Sequence, residues 1–187
     1  DHPPWQNGGT ADTPRRQLRL SSEALGGAAG IGRAGDGAQR FRVRRTGVHS
    51  PAVKVLLDTH IWIWWLLGSD RLSAAERHCL DRLAAIGGVH LSAMSLWEAQ
   101  MLHSKGRLML DRPLATWLRQ AAAPGVVALL PLDLDVVLAL DQLPQSFHGD
   151  PADRLIVATA LTHGLPLATQ DSAIQGSGLV PLWEPAA

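Results

Sequence analysis

The sequence from residue 53 onward predicts an α/β domain, a three-layer α/β/α sandwich around a short, mostly parallel central sheet. Two observations support this prediction. Short apolar runs, typical of buried parallel strands, alternate with longer segments of helical pattern. The helical segments carry start and stop signals, such as Ser73 with Glu76 in a capping-box spacing and Gly87 and Gly88 behind them.

The predicted elements alternate along the chain. The strands are residues 53–57, 89–91, 126–130, 165–169 and 179–183, and the helices are residues 60–67, 73–85, 95–105, 114–122, 134–143 and 151–163. The apolar residues of 61–67, which include three Trp, cover every side of their helix. This pattern fits either full burial between neighbouring elements or an interface with a partner protein.

Composition allows a buried core and one domain with a tail. Of 187 residues, 46% are apolar and 18% are charged. The single cysteine, Cys79, cannot form a disulfide within the chain and no secretory signal is recognisable, so we expect a reduced, cytoplasmic compartment. The longest strongly apolar run, residues 61–67, is far shorter than the ~20 residues that span a bilayer, so no membrane association is expected.

Residues 1–52 differ from the rest of the chain. They are rich in Gly and carry eight Arg against four acids, a net charge of +4, without apolar periodicity. Such a segment cannot bury enough apolar surface to order itself, so we expect a disordered tail. Two alternatives stay open: an Arg-rich arm that holds RNA, or a non-native upstream extension before a true start at Val53. Intact-mass analysis of the protein made from its own gene tests the second alternative.

Residues 53–187 are acidic, with nine Lys and Arg against thirteen acids, a net charge of −4. This balance argues against a plain nucleic-acid-binding module, which should be basic. An acidic domain can still act on nucleic acid where bound metal ions offset a cluster of carboxylates.

Acidic side chains follow the predicted strands. Asp58 comes after the first strand, Glu98 after the second and Asp171 after the fourth, while Asp153 is in the first turn of the helix at 151–163. In open α/β sheets the carboxyl ends of parallel strands meet at one edge, where ligand sites form. We therefore expect these four carboxylates to lie together.

Each acid also has a structural explanation. Asp58 could cap the helix that follows it, Asp171 could cap a short final turn, and Glu98 could close a capping box with Ser95. Asp150, with Pro151 behind it, is a natural N-cap, and the helix dipole favours an acid at Asp153 in the first turn. For any single acid, the structural explanation is the stronger one.

Taken together, the acids favour a metal site. Carboxylates held close together repel one another, and a cation removes that repulsion. Mg²⁺ and Mn²⁺ prefer carboxylate and water oxygens, and the set contains neither the His nor the Cys expected for zinc. Such ions hydrolyse phosphodiesters in two-metal sites, for which we expect 5′-phosphate and 3′-hydroxyl products.

The acids lie in four segments: residues 53–60 (VKVLLDTH), 92–99 (SAMSLWEA), 150–160 (DPADRLIVATA) and 167–171 (LATQD). These segments resemble the acidic motifs of PIN domains, and the branch they resemble most is the VapC-like toxins. The resemblance covers essentially all of residues 53–187. It implies Mg²⁺- or Mn²⁺-dependent cleavage of RNA, a homodimer, and a cognate antitoxin that holds the enzyme silent.

The resemblance also assigns roles to single residues. It places Asp58, Glu98, Asp153 and Asp171 at the catalytic, metal-binding acids, and Thr59 and Thr169 at the hydroxyl positions beside them. Asp150 is expected to act as a cap first and an outer-shell ligand second, and Arg154 to contact either the phosphate or a surface acid. Gln170 stands where many relatives carry Arg, which puts substrate binding in doubt.

Three alternatives stay open at this point. A receiver or phosphatase also places an Asp after its first strand, but usually needs a late Lys, and residues 106–187 contain none. A non-catalytic interaction module would use the acids as caps only. An RNA-processing PIN nuclease would have no antitoxin. His60, two residues after Asp58, is expected to find a backbone partner rather than RNA.

Overall fold

The structure, a computed structural model, describes residues 54–147 and 149–185. The chain divides into residues 1–49 and 50–187, and everything below concerns the second unit. The predictions about residues 1–52, and the placement of Val53 in the first strand, lie outside the described residues.

Four short strands form one fully parallel sheet: β1 (Val55–Leu57), β2 (Val89–Ser92), β3 (Ala128–Leu130) and β4 (Leu167–Ala168). Their order in the sheet is β3-β2-β1-β4, so the first strand of the chain lies between β2 and β4. In register, Leu57 at the end of β1 pairs with Leu91 on one side and Ala168 on the other. The carboxyl ends of these three strands therefore lie side by side.

Seven helices connect and follow the strands in the described residues. They are α1 (Thr59–Leu67), α2 (Ala74–Ala85), α3 (Ala93–Ser104), α4 (Leu114–Ala121), α5 (Leu134–Asp141), α6 (Pro151–His163) and α7 (Ser172–Ser177). None of these helices is long and apolar enough to cross a membrane.

The core lies on both faces of the sheet. Val55 and Leu57 of β1 pack into a cluster with α1, α2 and α4, whereas Leu56 between them packs into a second cluster with α5, α6 and α7. Alternate residues of a strand point to opposite faces. The sheet is thus covered by helices on each side, which confirms the three-layer α/β/α prediction.

The Trp-rich helix α1 belongs to the core. Ile61, Trp62, Ile63 and Trp65 are buried, and Trp62 Nε1 donates a hydrogen bond to the Ala121 carbonyl over 3.2 Å. Of the two interpretations of this helix, the structure supports burial between neighbouring elements. The interface interpretation is wrong for these four side chains.

Most local signals act as predicted, with two exceptions. Ser73 and Glu76 form both hydrogen bonds of the capping box of α2. Helix α3, however, begins at Ala93 with Ser92 as its cap, earlier than residue 95. The predicted strand at 179–183 is wrong, since only one parallel bridge forms there, between Leu167 and Leu182. Pro181 has no amide hydrogen to extend a ladder, which accounts for the failure.

Candidate active site

The strand ends bring the predicted acids to one edge of the sheet. Asp58 directly follows β1, Glu98 lies in the second turn of α3 behind β2, and Asp171 lies between β4 and α7. Asp150 and Asp153 stand at the start of α6. We therefore expect electrostatic repulsion between these carboxylates.

Asp153 lies within electrostatic range of the other four acids. Burial, together with the negative charges of four neighbours, raises the pKa of Asp153 to about 8; the neighbours are Asp58, Asp150, Glu98 and Asp171. Like charges disfavour the ionised form of a carboxyl group that is held near them. The structure thus gathers the acids that the sequence predicted, with Asp150 among them.

The ionised form of Glu98 is disfavoured for the same reasons. Burial and the charges of Asp58 and Asp150, opposed by Thr59 and His60, raise the pKa of Glu98 to about 6. The Thr59 hydroxyl acts on the Glu98 carboxyl group, but it does not meet the geometry of a hydrogen bond. Among the described residues, Thr59 Oγ1, Ser95 Oγ and Glu98 Oε2 are buried without a hydrogen-bond partner. A buried carboxylate oxygen without a partner is costly, and a bound cation would satisfy it.

Asp58 is the most buried acid, at 2% exposure, and the one most firmly held. Its Oδ2 accepts a 2.6 Å hydrogen bond from the Thr169 hydroxyl and lies 3.3 Å from His60 Nδ1. Burial acts to raise the pKa of Asp58, but the contact with His60 and the hydrogen bonds from Thr169 and the Thr59 amide outweigh it and lower the pKa. Asp58 is therefore a carboxylate at neutral pH.

The capping explanation holds for two acids and fails for two others. Asp150 accepts hydrogen bonds from the Ala152 and Asp153 amides, and Asp171 accepts one from the Ile174 amide. Asp58 stands at the N-cap position of α1 but makes no capping hydrogen bond there. Glu98 is outside any capping box, because α3 begins before Ser95. The buried Asp58 and the partly buried Glu98 are thus not explained as helix caps.

Comparison with known proteins identifies the family. A model of the PIN domain matches residues 55–176. The chain is 36% identical to Ribonuclease VapC22 of Mycobacterium tuberculosis over 121 residues, which cover 65% of this chain and 89% of that protein. The chain belongs to the PIN domain family.

Solved structures with the PIN fold agree. A chain of the VapBC2 complex of Rickettsia felis, crystallised with promoter DNA, matches with a TM-score of 0.54 at 15% identity. It covers 70% of this chain and 98% of its own. A chain of FitAcB from Neisseria gonorrhoeae matches with a TM-score of 0.50 at 25% identity, covering 70% of this chain and 97% of its own.

The donor set of this PIN domain fits Mg²⁺ or Mn²⁺ in chemistry. It consists of carboxylate oxygens, and Glu98 Oε2 is buried and without a hydrogen-bond partner. Within residues 54–147 and 149–185, no three His, Cys, Asp or Glu side chains are arranged to hold a metal ion as they stand. The carboxylates repel one another when no cation lies between them, so binding of a cation would have to bring these side chains closer together.

Two residues near the acids have partners that the sequence did not indicate. The Arg154 guanidinium donates to the carbonyls of Pro144 and Phe147, over 3.3 and 3.2 Å, so it fixes the loop before α6. The guanidinium is thus engaged with backbone carbonyls, while the phosphate contact expected for Arg154 stays a prediction. The Gln170 side chain donates to the Arg71 carbonyl over 3.2 Å, so it is directed at the loop before α2.

The carboxylates do not line either of two surface depressions of this PIN domain. One, of about 370 Å³, lies between the loop at Pro144–Phe147 and α7, and the other, of about 270 Å³, lies beside Trp97 and Leu132. The acid cluster lies outside both depressions, and it is the candidate site for chemistry because its carboxylates converge at the carboxyl ends of the strands.

Asp150 allows a test that separates a cap from a ligand. Asn is as good an N-cap as Asp, so Asp150→Asn should leave the free energy of unfolding nearly unchanged, while Asp150→Ala should lower it by about 1 kcal/mol. Chemical denaturation measures both values. We expect Asp150→Asn to retain most of any metal-dependent catalytic activity of the domain. Complete loss of that activity would indicate that Asp150 is a direct ligand of the metal ion.

Proposed function

We propose that this PIN domain is a Mg²⁺- or Mn²⁺-dependent endoribonuclease of the cytoplasm, and the toxin of a toxin–antitoxin pair. The observation that carries the proposal is the convergence of acids around Glu98 and Asp153, whose ionised forms are disfavoured there. Burial and neighbouring negative charges raise their pKa values to about 6 and 8. A divalent cation relieves that repulsion, and the similarity to Ribonuclease VapC22 supports RNA as the substrate.

Three acids are proposed to hold the cation directly: Asp58, Glu98 and Asp153. Asp171 has one oxygen engaged in capping α7, so we assign it a supporting role through its second oxygen or through water. When bound, such a cation supplies a more acidic water and offsets the negative charge that develops on the scissile phosphate.

The chain's own residues keep these acids in place. Thr169 and His60 hold Oδ2 of Asp58, which fixes the orientation of the most buried carboxylate. Asp150 caps α6 and so sets the position of Asp153 in the first turn. Placement of this kind lowers the conformational cost of binding a cation or a phosphate.

The function is tested by RNA cleavage with the full chain in Mg²⁺, in Mn²⁺ and in EDTA. We expect cleavage only with metal, and products that carry 5′-phosphate and 3′-hydroxyl ends. A 2′,3′-cyclic phosphate would indicate metal-free chemistry and contradict the proposal. Hydrolysis of a phosphomonoester without RNA cleavage would favour a phosphatase. No cleavage, together with no rise in melting temperature on adding metal, would favour an interaction module.

An antitoxin is the proposed protein partner. Matching structures come from VapBC and FitAB antitoxin complexes, which supports a similar assembly here. We expect the purified product of a small neighbouring gene to bind the chain and suppress its cleavage of RNA. Cleavage that no such product inhibits would favour an RNA-processing nuclease.

A homodimer is proposed through the outer face of α5. Leu134, Val137 and Leu138 lie on one side of this helix and are 70%, 47% and 55% exposed. Three large aliphatic side chains on one exposed face are typical of an interface. A second copy of the chain is the occupant we propose, because the family resemblance implies self-association.

The dimer proposal predicts the effect of charge on this face. Leu134→Lys combined with Val137→Lys should convert a dimer into a monomer, because two charges would be buried without partners. Light scattering coupled to size-exclusion chromatography measures the mass. Met109→Lys is the control, since Met109 is 80% exposed in a loop outside α5. A monomeric parent chain, or a double variant that still dimerises, would contradict the proposal.

A further inference from the structure

The two ring nitrogens of His60 have different partners. The backbone N–H of Gln170 donates to Nε2 over 3.0 Å, and Nδ1 lies 3.3 Å from Asp58 Oδ2. A backbone amide can only donate, so Nε2 must be the unprotonated nitrogen. The ring hydrogen is then on Nδ1, from which it points to the Asp58 carboxylate. The surroundings therefore select one neutral tautomer.

The His60 ring is also held in position from the side. It stacks at a tilt on Trp64, one turn later in α1, with 4.7 Å between ring centroids. The Arg71 guanidinium lies over the same Trp64 ring, 5.1 Å from its centroid. These contacts restrict rotation of the imidazole, so its Nδ1–H keeps its direction.

The loop after β4 reaches Asp58 by two routes. Thr169 donates directly to Asp58 Oδ2 and accepts a 3.0 Å hydrogen bond from the Asp171 amide. Gln170 reaches the same oxygen through the His60 ring. Oδ2 thus receives donors from two sides, and the first and fourth acidic motifs are joined into one hydrogen-bonded unit.

We propose that His60 is a positioning residue, which, in its neutral Nδ1–H form, orients the Asp58 carboxylate for a divalent cation and ties it to the loop at residues 169–171. The metal part of this inference rests on the proposed function. Hydrogen bonds to a ligating carboxylate fix its orientation, and loss of such a partner lowers metal affinity about 10–100-fold.

Three substitutions separate the two hydrogen bonds of the ring. His60→Asn places an amide near the position of Nδ1, so it can still donate to Asp58 but cannot reach Gln170. His60→Gln places its amide near the position of Nε2, so it can accept from Gln170 but not donate to Asp58. His60→Phe removes both bonds, and His78→Gln, on the exposed surface of α2, is the control.

The first readout is the dissociation constant of Mn²⁺, measured by calorimetry on the metal-free full chain. We expect His60→Asn to bind close to the parent chain, and His60→Gln and His60→Phe to bind at least about 10-fold more weakly. His60→Gln binding as tightly as the parent would overturn the inference. So would equal weakening of His60→Asn and His60→Phe, since that outcome would mean that the donated hydrogen bond has no special role.

The second readout is the ring itself, in the parent chain labelled with ¹⁵N-histidine. The nitrogen shifts of His60 distinguish the two neutral tautomers, and the inference predicts hydrogen on Nδ1. Hydrogen on Nε2 would overturn it without any variant having to fold. If the parent chain binds no Mn²⁺, the proposed function fails, whereas the tautomer still decides whether His60 is oriented toward Asp58.

Discussion

Replacing Asp58 by Asn is expected to lower metal-dependent RNA cleavage by on the order of 10²–10³-fold. Asp58 is the acid whose pKa is lowered, so it supplies full negative charge at neutral pH. Asn has the same size and can still accept from Thr169, but it lacks the charge that holds a cation. Initial cleavage rates with Mg²⁺ and with Mn²⁺ measure the effect.

The control for this variant is Asp70→Asn. Asp70 is exposed in the turn between α1 and α2, outside the cluster. It should cleave at the parent rate, while circular dichroism should show both variants folded. If folded Asp58→Asn cleaved RNA as fast as Asp70→Asn, the central carboxylate would have no part in the chemistry.

The second large effect concerns stability without metal. Asp153→Asn should be more stable than the parent chain at pH 8 in EDTA, and less stabilised than the parent when Mn²⁺ is added. The substitution removes a charge that burial and four neighbouring acids disfavour. In the parent chain that repulsion is relieved by the cation, which the variant binds weakly. The order of the two melting temperatures should therefore invert with metal.

The difference in stability between Asp153→Asn and the parent chain should depend on pH. The folded pKa of Asp153, about 8, lies above the ordinary value of 3.8. Between these values the folded chain keeps a proton that the unfolded chain has lost, so stability falls as pH rises through this window. The advantage of Asp153→Asn should accordingly be small near pH 4 and largest at pH 8 and above.

A shift of one pKa unit corresponds to about 1.4 kcal/mol in the free energy of unfolding. The partly exposed Asp153 side chain can move towards water, which reduces the effect. We therefore expect the free energy of unfolding of Asp153→Asn to exceed that of the parent chain by ~2 kcal/mol at pH 8. Thermal unfolding in EDTA at several pH values measures it. Glu98→Gln should change stability in the same direction and by less, because the pKa of Glu98 rises only to about 6. A variant that is less stable than the parent at pH 8 would contradict the repulsion described here.

The sequence could predict that the acids converge and that Asp150 is an N-cap, but not that Glu98 lies outside a capping box. Convergence follows from parallel strands, whose carboxyl ends meet at one edge whatever the loops do. Capping depends on where a helix begins, which pattern alone locates poorly. Ser92 and Ser95 are both good caps, and the choice of Ser92 puts Glu98 in the second turn of α3. The assignment of these acids as metal ligands stays a prediction.

Contacts across the fold were beyond what periodicity can indicate. His60 and Gln170 are far apart in sequence, and their hydrogen bond exists because β1 and β4 are neighbours in the sheet. The sequence did favour a backbone partner for His60, which is correct, but its second contact with Asp58 was missed. The adjacency of Asp58 and His60 in the first motif was the signal that could have indicated it.

The most direct test of the account is anomalous scattering at the manganese edge from crystals of the chain grown with Mn²⁺. We predict a peak within bonding distance of carboxylate oxygens of Asp58, Glu98 and Asp153, with these side chains drawn together. No peak at the cluster, or ordered manganese only at other side chains, would contradict the claim that these carboxylates form a metal site.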